Sequence, residues 1–342
     1  MTLSRGTGPE WKGPAPLWKR HWEAFRYVFR VVLPTIFRTG KRPVIFAKYS
    51  GIGDIICTFP AALELKKRHP DGEFIYNCGP DYSCLPKLGG VTEHTTSFRY
   101  IGLVGFWYRF LLSGFYSFAS DDDRPGRDHA ELYIKDYGRS FGIELKGDHP
   151  RLRHEAAVTD RVKALLEKDG LKGGPLIVIH TGPSWPVKEW PHGSWVNLAG
   201  ELRLQGYDRI VRLGTNSHPD YGEMDLEEIP GVVSFVNQLT LEESAALIEL
   251  SDLLIGIDSG LLHIAVAVGT PAVGLWGATS PQFLFSTANQ RRFVISQVEC
   301  QGCHHRVPRL HWMTGCPFDI KCMKAIGVEE VLKTCQTALG VS

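Results

Sequence analysis

Short apolar runs alternate with segments of helical spacing over most of the chain, from residue 43 onward. The runs Val44–Tyr49 and Leu176–His180 contain few polar residues, which is typical of strands buried on both faces of a parallel sheet. Glycine-containing turns follow these runs, and residues with helical spacing come after the turns. This order predicts an α/β protein whose parallel sheets carry helices on both faces.

The predicted elements form two series joined by a charged, glycine-containing link at 146–174. The first series has strands at Val44–Tyr49 and Phe74–Cys78 and helices at Ala61–Arg68, with Pro60 near its start, and His129–Phe141. The second has strands at Leu176–His180, Arg209–Leu213, Val232–Val236, Asp252–Ile257 and finally Ala272–Trp276, and helices at Trp195–Leu204, at Leu261–Val268 and from a Thr240 capping box through Leu250. We interpret the series as two Rossmann-like domains, 43–172 and 173–342, whose ligands lie in the cleft beyond the carboxyl ends of the strands.

Residues 1–42 differ from the rest in charge and aromatic content. They hold nine lysines and arginines against two acidic residues, and three of the nine tryptophans. An apolar stripe predicts a helix that is interrupted at Pro34, and its members are Trp18, Trp22, Phe25, Phe29, Val32 and Ile36. Aromatic residues on one side with basic residues around it favour an interfacial helix that binds an anionic membrane surface through residues 17–38. The alternative is a helix packed on the protein's own body.

Composition excludes several broad classes. Of the 342 residues, 43% are hydrophobic and 22% charged, which excludes a disordered or collagenous chain. A net charge of +1 gives no reason to expect nucleic acid as a partner. No apolar run reaches the ~18 residues of a clear transmembrane span, and the aromatic stretch Ile101–Ala119 is interpreted as a core helix or part of an acceptor pocket. Because the first residues do not resemble a secretory signal, we expect a cytoplasmic protein, peripheral on the inner membrane face.

The first glycine turn carries a candidate catalytic carboxylate. The sequence Ser50-Gly51-Ile52-Gly53-Asp54 directly follows the first predicted strand, so Asp54 would face the cleft. The glycines Gly51 and Gly53 let the backbone turn sharply and approach a ligand. Asp54 is placed to accept a proton from an attacking hydroxyl, but aspartate is equally common as a helix N-cap. The turn lacks the G-x-G-x-x-G fingerprint, which argues against a Rossmann oxidoreductase.

Three further strand ends, at 180–188, 258–263 and 277–281, carry hydroxyls, glycines and charges suited to a diphosphate. A lysine in the first of them adds a point charge for phosphate oxygens. A helix predicted to begin in the second would point its N-terminal amides into the cleft. The alternative to a diphosphate site is a set of turns and one capped helix with a structural role only. The candidate donor ligands are Thr181, Ser184, Lys188, Asp258, Ser259, Gly260, His263, Thr279 and Ser280.

Four of the eight cysteines crowd near the C terminus with C-x2-C-x12-C-x5-C spacing, namely Cys300, Cys303, Cys316 and Cys322. In a chain without an export signal, such clustering favours metal binding over disulfides. Four thiolates can close a zinc or iron site, with His304, His305 and His311 as substitutes. Reduced thiols in a surface loop are the alternative. A D-x-D metal site at Asp121 and Asp123 is disfavoured, because acidic triplets are usually solvated loops.

Several motifs occur in the order and spacing of one family. They are F-A-K-Y-S-G-I-G-D-I-I-C-T-F-P-A, K-E-W-P, D-L-L-I-G-I-D-S-G-L-L-H-I-A-V-A-V-G-T-P and L-W-G-A-T-S-P. From about residue 43 to residue 335 the chain resembles the heptosyltransferases, family 9 of the GT-B glycosyltransferases. The resemblance implies an acceptor-side domain at 43–172 and a donor-side domain at 173–342. It also implies inverting transfer without a catalytic metal from a nucleoside diphosphate sugar, typically ADP-heptose, to a lipid-linked glycan such as the lipopolysaccharide core, or to a protein.

The resemblance implies residue roles as well. Asp54 would be the base, Lys188 would stabilise the leaving diphosphate, and the remaining candidate ligands, with Gly51 and Gly53, would hold the donor. The family's acidic residue for the donor ribose has no match, since 215–218 reads Thr-Asn-Ser-His. Relatives that modify autotransporter adhesins carry a cysteine metal finger in a similar C-terminal place. The alternative function is a catalytically silent nucleotide-sugar-binding or scaffold protein at the membrane, against which the presence of both Asp54 and Lys188 argues.

Overall fold

The computed structural model describes residues 16–49, 51–98, 132–145, 150–218, 222–306 and 316–340. The N-terminal arm, residues 17–39, consists of α1 (Leu17–Tyr27), a π-helical turn (Val28–Val32) and α2 (Leu33–Thr39). The first half of the body then contains β1 (Arg42–Ala47), α3 (Ile52–Arg68), β2 (Gly72–Asn77), α4 (Leu85–Leu88), β3 (Thr95–Thr96) and α5 (Tyr133–Ser140). Its strands form a parallel sheet in the order β1-β2-β3.

The second half of the body holds a larger sheet. Its elements are α6 (Ala156–Lys168), β4 (Leu176–His180), α7 (His192–Leu204), β5 (Arg209–Arg212), β6 (Ser217–His218), β7 (Gly222–Glu223), β8 (Val233–Ser234), α8 (Leu241–Leu250), β9 (Leu253–Ile257), α9 (Gly260–Val268), β10 (Ala272–Trp276), α10 (Thr287–Gln290), β11 (Phe293–Ile295), α11 (Cys303–Arg306), α12 (Lys321–Lys324) and α13 (Val328–Ala338). Six strands pair in parallel in the order β11-β10-β9-β4-β5-β8. The chain is therefore α/β with two parallel sheets, as predicted.

The central strands of the larger sheet are fully buried. Each residue of β4, β9 and β10 is inaccessible to solvent or nearly so, because helices cover both faces of the sheet. One apolar cluster includes residues from both halves of the body, among them Phe59 and Leu85 from the first and Leu254 and Leu262 from the second. The two halves therefore pack directly on each other.

The structure corrects the predicted elements at three places in particular. The helix placed at Ala61–Arg68 begins at Ile52, so that Pro60 lies in its middle rather than near its start. The predicted interdomain link contains α6, whose buried Val158, Val162 and Leu166 recur at helical spacing among charged residues. The predicted final strand, Ala272–Trp276, is followed by β11 at the sheet edge.

The N-terminal arm packs on the smaller sheet by one face only. Its inner side chains, Ala24, Tyr27, Val28 and Val32, form a cluster with Ile45 and Ile75 of the first two strands. The Tyr27 hydroxyl lies 2.7 Å from the hydroxyl of Thr96. None of the described helices combines the length and the apolar character that a membrane crossing requires.

The outer face of the same arm exposes a line of aromatic rings. Trp18, Trp22, Phe25 and Phe29 are all exposed, and the rings of Phe25 and Phe29 lie 4.5 Å apart. The predicted stripe does not continue through Val32, which is buried against the sheet. The π-helical turn explains the change, because its extra residue per turn rotates the following side chains around the axis. The structure thus combines a packed inner face with an unburied aromatic outer face.

Candidate active site

Asp54 lies in the first turn of α3, at the carboxyl edge of the smaller sheet. The N-cap position of this helix is occupied by Gly51, whose φ is 84°, and no side chain caps the helix. The interpretation of Asp54 as the N-cap is therefore wrong. Its carboxylate is partly accessible and lies 3.4 Å from the ammonium group of Lys48, measured between Oδ2 and Nζ. A carboxylate at this position can accept a proton from a bound hydroxyl group.

The buried Lys48 was missed by the sequence analysis. It follows directly on β1, and its ammonium group also lies 5.8 Å from the centre of the Tyr137 ring. The available signal was a single cation at the end of an apolar strand, six residues before an aspartate. A buried cation requires a partner, and Asp54 provides one.

Two glycines allow the helices of the opposite halves to meet. A Cβ atom on Gly53 would lie 2.5 Å from the His263 ring, and one on Gly260 would lie 2.4 Å from Ile52. Both distances are shorter than any real contact, so only glycine permits this approach of α3 and α9. The helix that carries Asp54 consequently touches the helix that carries Gly260 and His263.

His263 lies in this contact rather than on an open surface. Its ring packs 4.4 Å from the Phe285 ring, centre to centre, and its Nδ1 is 3.6 Å from the Cys57 sulfur. Burial lowers the pKa of His263 from 6.5 to about 4, against the influence of Asp258, so the ring is neutral at neutral pH. A neutral imidazole can offer a donor or an acceptor nitrogen, which is compatible with the predicted donor contact and does not establish it.

Lys188 and Asp258 form a buried ion pair between two strand ends. Lys188 Nζ lies 2.7 Å from Asp258 Oδ2, and the Thr279 hydroxyl donates to the same oxygen at 2.7 Å. Burial alone would raise the pKa of the Asp258 carboxyl, but the charge and hydrogen bonds of Lys188 and Thr279 hold it below its usual value. Lys188 also lies 3.9 Å above the Trp185 ring. Three predicted ligands are therefore one connected group.

The start of α9 presents hydroxyl and amide groups next to this ion pair. Ser259 is the N-cap residue, makes no side-chain cap, and has a buried Oγ without a hydrogen-bond partner among the described residues. A hydroxyl in this position is able to donate a hydrogen bond to a bound group. The free amides of the first helical turn attract anions at the same place. This arrangement suits a phosphate group.

The other predicted ligands take different positions. The Thr181 hydroxyl accepts a hydrogen bond from Arg212, and the Ser184 amide donates to Glu189 Oε1 at 3.0 Å. Ser280 precedes a short 3₁₀ turn and does not cap it through its side chain. Arg212 and Glu189 were not predicted from the sequence. The residues next to them in the sequence give no sign of their roles, because Arg212 contacts a neighbouring strand end and Glu189 contacts Ser184 across a turn.

The four clustered cysteines lie near one another without forming a metal cage in the described part of the chain. Burial, together with the neighbouring thiols Cys300, Cys303 and Cys316, raises the pKa of Cys322 to about 11. No group of three or more histidine, cysteine or acidic side chains within the described ranges is close enough to hold a metal ion. The metal site therefore stays a prediction. His311, Asp121, Asp123 and the stretch Ile101–Ala119 lie outside the described residues.

Comparison with known proteins supports a single family. Residues 100–313 match the model of glycosyltransferase family 9 (heptosyltransferase). Lipooligosaccharide heptosyltransferase 2 of Haemophilus influenzae is 35% identical over 103 residues, which cover 29% of this chain and 30% of that protein. The autotransporter heptosyltransferase BAHTCr of Citrobacter rodentium is 30% identical over 284 residues, which cover 79% of this chain and 62% of that protein. These matches span less than two thirds of either relative's length.

A solved structure shows the same fold. The iron-containing dodecameric glycosyltransferase TibC from enterotoxigenic Escherichia coli superimposes with a TM-score of 0.63 at 19% identity, covering 86% of this chain and 75% of TibC. TibC has also been solved in complex with ADP-D-β-D-heptose. The two Rossmann-like halves of the GT-B architecture are thereby confirmed, whereas the predicted boundaries at 42 and 172 stay predictions. Because the family model covers more than half of the sequence, the chain belongs to glycosyltransferase family 9, the heptosyltransferases.

Proposed function

We propose that this protein is an inverting glycosyltransferase that moves a heptose from ADP-heptose to a hydroxyl group of the lipopolysaccharide core. The observation that carries the proposal is the contact between α3 and α9 through Gly53 and His263, since Asp54 follows Gly53 on α3 and the paired Asp258 lies two residues before the start of α9. We infer that this proton acceptor on α3 and the anion site at the start of α9 face the same substrate. The family and the names of the relatives support the heptosyl donor.

The reaction follows from the charges at the site and needs no catalytic metal in this scheme. The oxygen of the acceptor hydroxyl bonds to the anomeric carbon from the face opposite the leaving group. Asp54 accepts the proton that this hydroxyl loses. The bond to the diphosphate breaks, and ADP takes up the electron pair. Lys188 and the first-turn amides of α9 stabilise this growing negative charge.

Incubation of the purified protein with ADP-heptose and heptose-deficient lipopolysaccharide tests the proposal. We expect release of ADP together with a mass increase of one heptose on the glycan. GDP- and UDP-sugars serve as donor controls, and a heptose-free autotransporter passenger tests the alternative protein acceptor suggested by one relative. Donor binding without transfer to either acceptor would favour the silent binding protein instead.

The cysteine cluster supports a structural metal, zinc or iron, in addition. We propose Cys300, Cys303, Cys316 and Cys322 as its ligands, because four thiols of suitable chemistry share one region and a fold neighbour contains iron. We expect about one metal ion per chain by elemental analysis and a lower melting temperature after chelation, with nucleotide binding retained. Protein from metal-replete, reducing medium that holds neither metal would contradict this assignment.

The aromatic outer face of the N-terminal arm supports attachment to the cytoplasmic face of an anionic membrane. Trp18 and Trp22 are 72% and 55% exposed, and the neighbouring Lys19, Arg26 and Arg30 are exposed as well. Rings of this kind bury in the lipid interface, and the cations add ~1 kcal/mol each near anionic headgroups. The attached enzyme and a lipid-linked acceptor would then both diffuse along the same membrane surface, where they encounter each other.

Because the inner face of the N-terminal arm packs on the smaller sheet, membrane attachment is tested by substitution rather than by truncation. Deletion of residues 1–40 would uncover Ile45 and Ile75 and destabilise the body. The triple variant Trp18→Ser/Trp22→Ser/Phe29→Ser alters only exposed rings. We expect it to lose sedimentation with phosphatidylglycerol vesicles while its melting temperature and its activity on a soluble acceptor change little. Leu204→Ser, at another exposed position, is the matched control, and equal vesicle binding by the triple variant and wild type would refute the proposal.

A further inference from the structure

Arg212 is a buried cation at the carboxyl end of β5. The residue is only 7% exposed, although arginine is among the residues least often buried without a charged partner. Strand β5 pairs with β4 so that Arg212 lies opposite Ile179, two residues before Thr181. The guanidinium therefore lies at the same sheet edge as the predicted donor ligands.

The contacts of Arg212 neutralise none of its charge. Its Nε donates to the Thr181 hydroxyl oxygen at 2.8 Å, and its Nη1 donates to the Glu227 carbonyl at 2.7 Å. No carboxylate of the described ranges lies within ion-pair distance, and Nη2 has no hydrogen-bond acceptor there. Burial lowers the pKa of Arg212, yet a guanidinium remains protonated in proteins. A buried, uncompensated charge is unfavourable unless an anion joins it.

Thr181 adds a second donor at the same place. Its oxygen accepts from Arg212, so its own proton must point elsewhere, and no acceptor for that proton is found among the described residues. The adjacent His180 contributes no charge, because burial and the nearby Arg212 lower its pKa while its Nδ1 lies 3.0 Å from the Leu213 carbonyl. Arg212 and Thr181 thus present unused hydrogen-bond donors and a positive charge, which suits an anionic oxygen.

The strand order places this pair beside the start of α9. Strand β9, which leads into α9, neighbours β4, and β4 neighbours β5. Adjacent strands are ~4.8 Å apart, so Arg212 and the start of α9 are separated by about 10 Å across the sheet edge. An arginine side chain and a diphosphate together bridge such a gap. We propose that Arg212 and Thr181 form the subsite for the phosphate nearest the nucleoside of the donor, an inference that rests on the proposed function.

Calorimetric titration of the full chain with ADP, AMP and adenosine tests this subsite. Loss of one charge-assisted bond in Arg212→Gln is expected to weaken ADP and AMP about 10- to 100-fold. Adenosine affinity should change less than about threefold, because adenosine carries no phosphate. The salt dependence of ADP binding should become shallower, since a screened charge has been removed. Arg209→Gln, on the same strand but bonded to the Gly174 carbonyl, is the control and should bind as wild type.

A second variant keeps the proposal testable if Arg212→Gln is poorly folded. Thr181→Val retains the guanidinium and removes only the hydroxyl donor, and it should also weaken ADP more than adenosine. Equal loss of ADP and adenosine affinity, or no loss of either, would show that Arg212 only anchors the Glu227 backbone and would overturn the proposal. Wild-type protein that binds none of ADP, GDP and UDP would refute the proposed function itself, whereas normal ADP binding by both variants would refute the subsite alone.

Discussion

Replacement of Asp54 by asparagine is expected to lower kcat by about 10²–10⁴-fold, the usual contribution of a positioned general base. Asparagine keeps the size of the side chain but cannot take up the acceptor proton. Because the variant removes the negative charge that faces the buried Lys48, the melting temperature should fall, whereas the dissociation constant for ADP should change little, since the proposed donor ligands are unaltered. Single-turnover assays with ADP-heptose, together with ADP titration, measure the two effects separately. Near-normal turnover in this variant would remove Asp54 as the base.

Lys48 provides the control for that experiment. The variant Lys48→Met retains the base but removes its ion pair, so we expect a smaller loss of kcat than in Asp54→Asn. If Lys48 acts through Asp54, the double variant should be no slower than Asp54→Asn alone, because the interaction has already been lost. An additive loss in the double variant would instead give Lys48 an independent contact with substrate.

Strands and helix ends with a local signature could be predicted well from the sequence. Strands β4 and β10 coincide with their apolar runs. Both faces of these strands are buried, so the strand extends over the whole apolar run and its ends can be located from the sequence. The capping box of α8 is confirmed, with hydrogen bonds in both directions between Thr240 and Glu243. Helix α9 ends as predicted at Val268, and its C-cap residue is Gly269, whose φ of 92° is readily adopted only by glycine.

Elements without such a signature were missed. Strand β11 has three residues at a sheet edge, too few to show a period. Helix α6 buries one apolar line, and the surrounding charges made the segment resemble a link. Proline is expected at a helix start, but α3 continues on both sides of Pro60, since tertiary packing outweighs local preference.

In the candidate active site, too, short sequence motifs were predictable, whereas contacts between residues far apart in the sequence were not. The glycine turn and the start of α9 were predictable, because each motif carries its own backbone requirement. The partners of the predicted residues were not, since Lys188 meets Asp258 and Cys57 meets His263 across long stretches of sequence. Two hydroxyls predicted to face the donor, those of Thr181 and Thr279, already bond to Arg212 and Asp258. Sequence patterns identify candidate chemistry but not which protein group engages it.

Replacement of Lys188 by methionine should produce the other large effect, on both turnover and stability. Loss of the cation facing the leaving diphosphate is expected to lower kcat about 10²–10³-fold, as for removal of one donor to a developing charge. The variant also leaves the buried Asp258 carboxylate with Thr279 but no cation. Breaking a buried pair in this way lowers the free energy of unfolding by ~3–5 kcal/mol. Urea denaturation and single-turnover kinetics measure the two losses.

The double variant Lys188→Met/Asp258→Asn separates the structural role of the pair from its chemical role. Neutral residues of similar volume often replace a buried ion pair without loss of stability, so we expect the double variant to regain most of the free energy of unfolding. Its kcat should stay as low as that of Lys188→Met, because nothing restores positive charge beside the start of α9. Recovery of turnover along with stability would show that Lys188 only neutralises Asp258, and the stabilisation of the leaving group would then have to come from the amides of α9 and from Arg212.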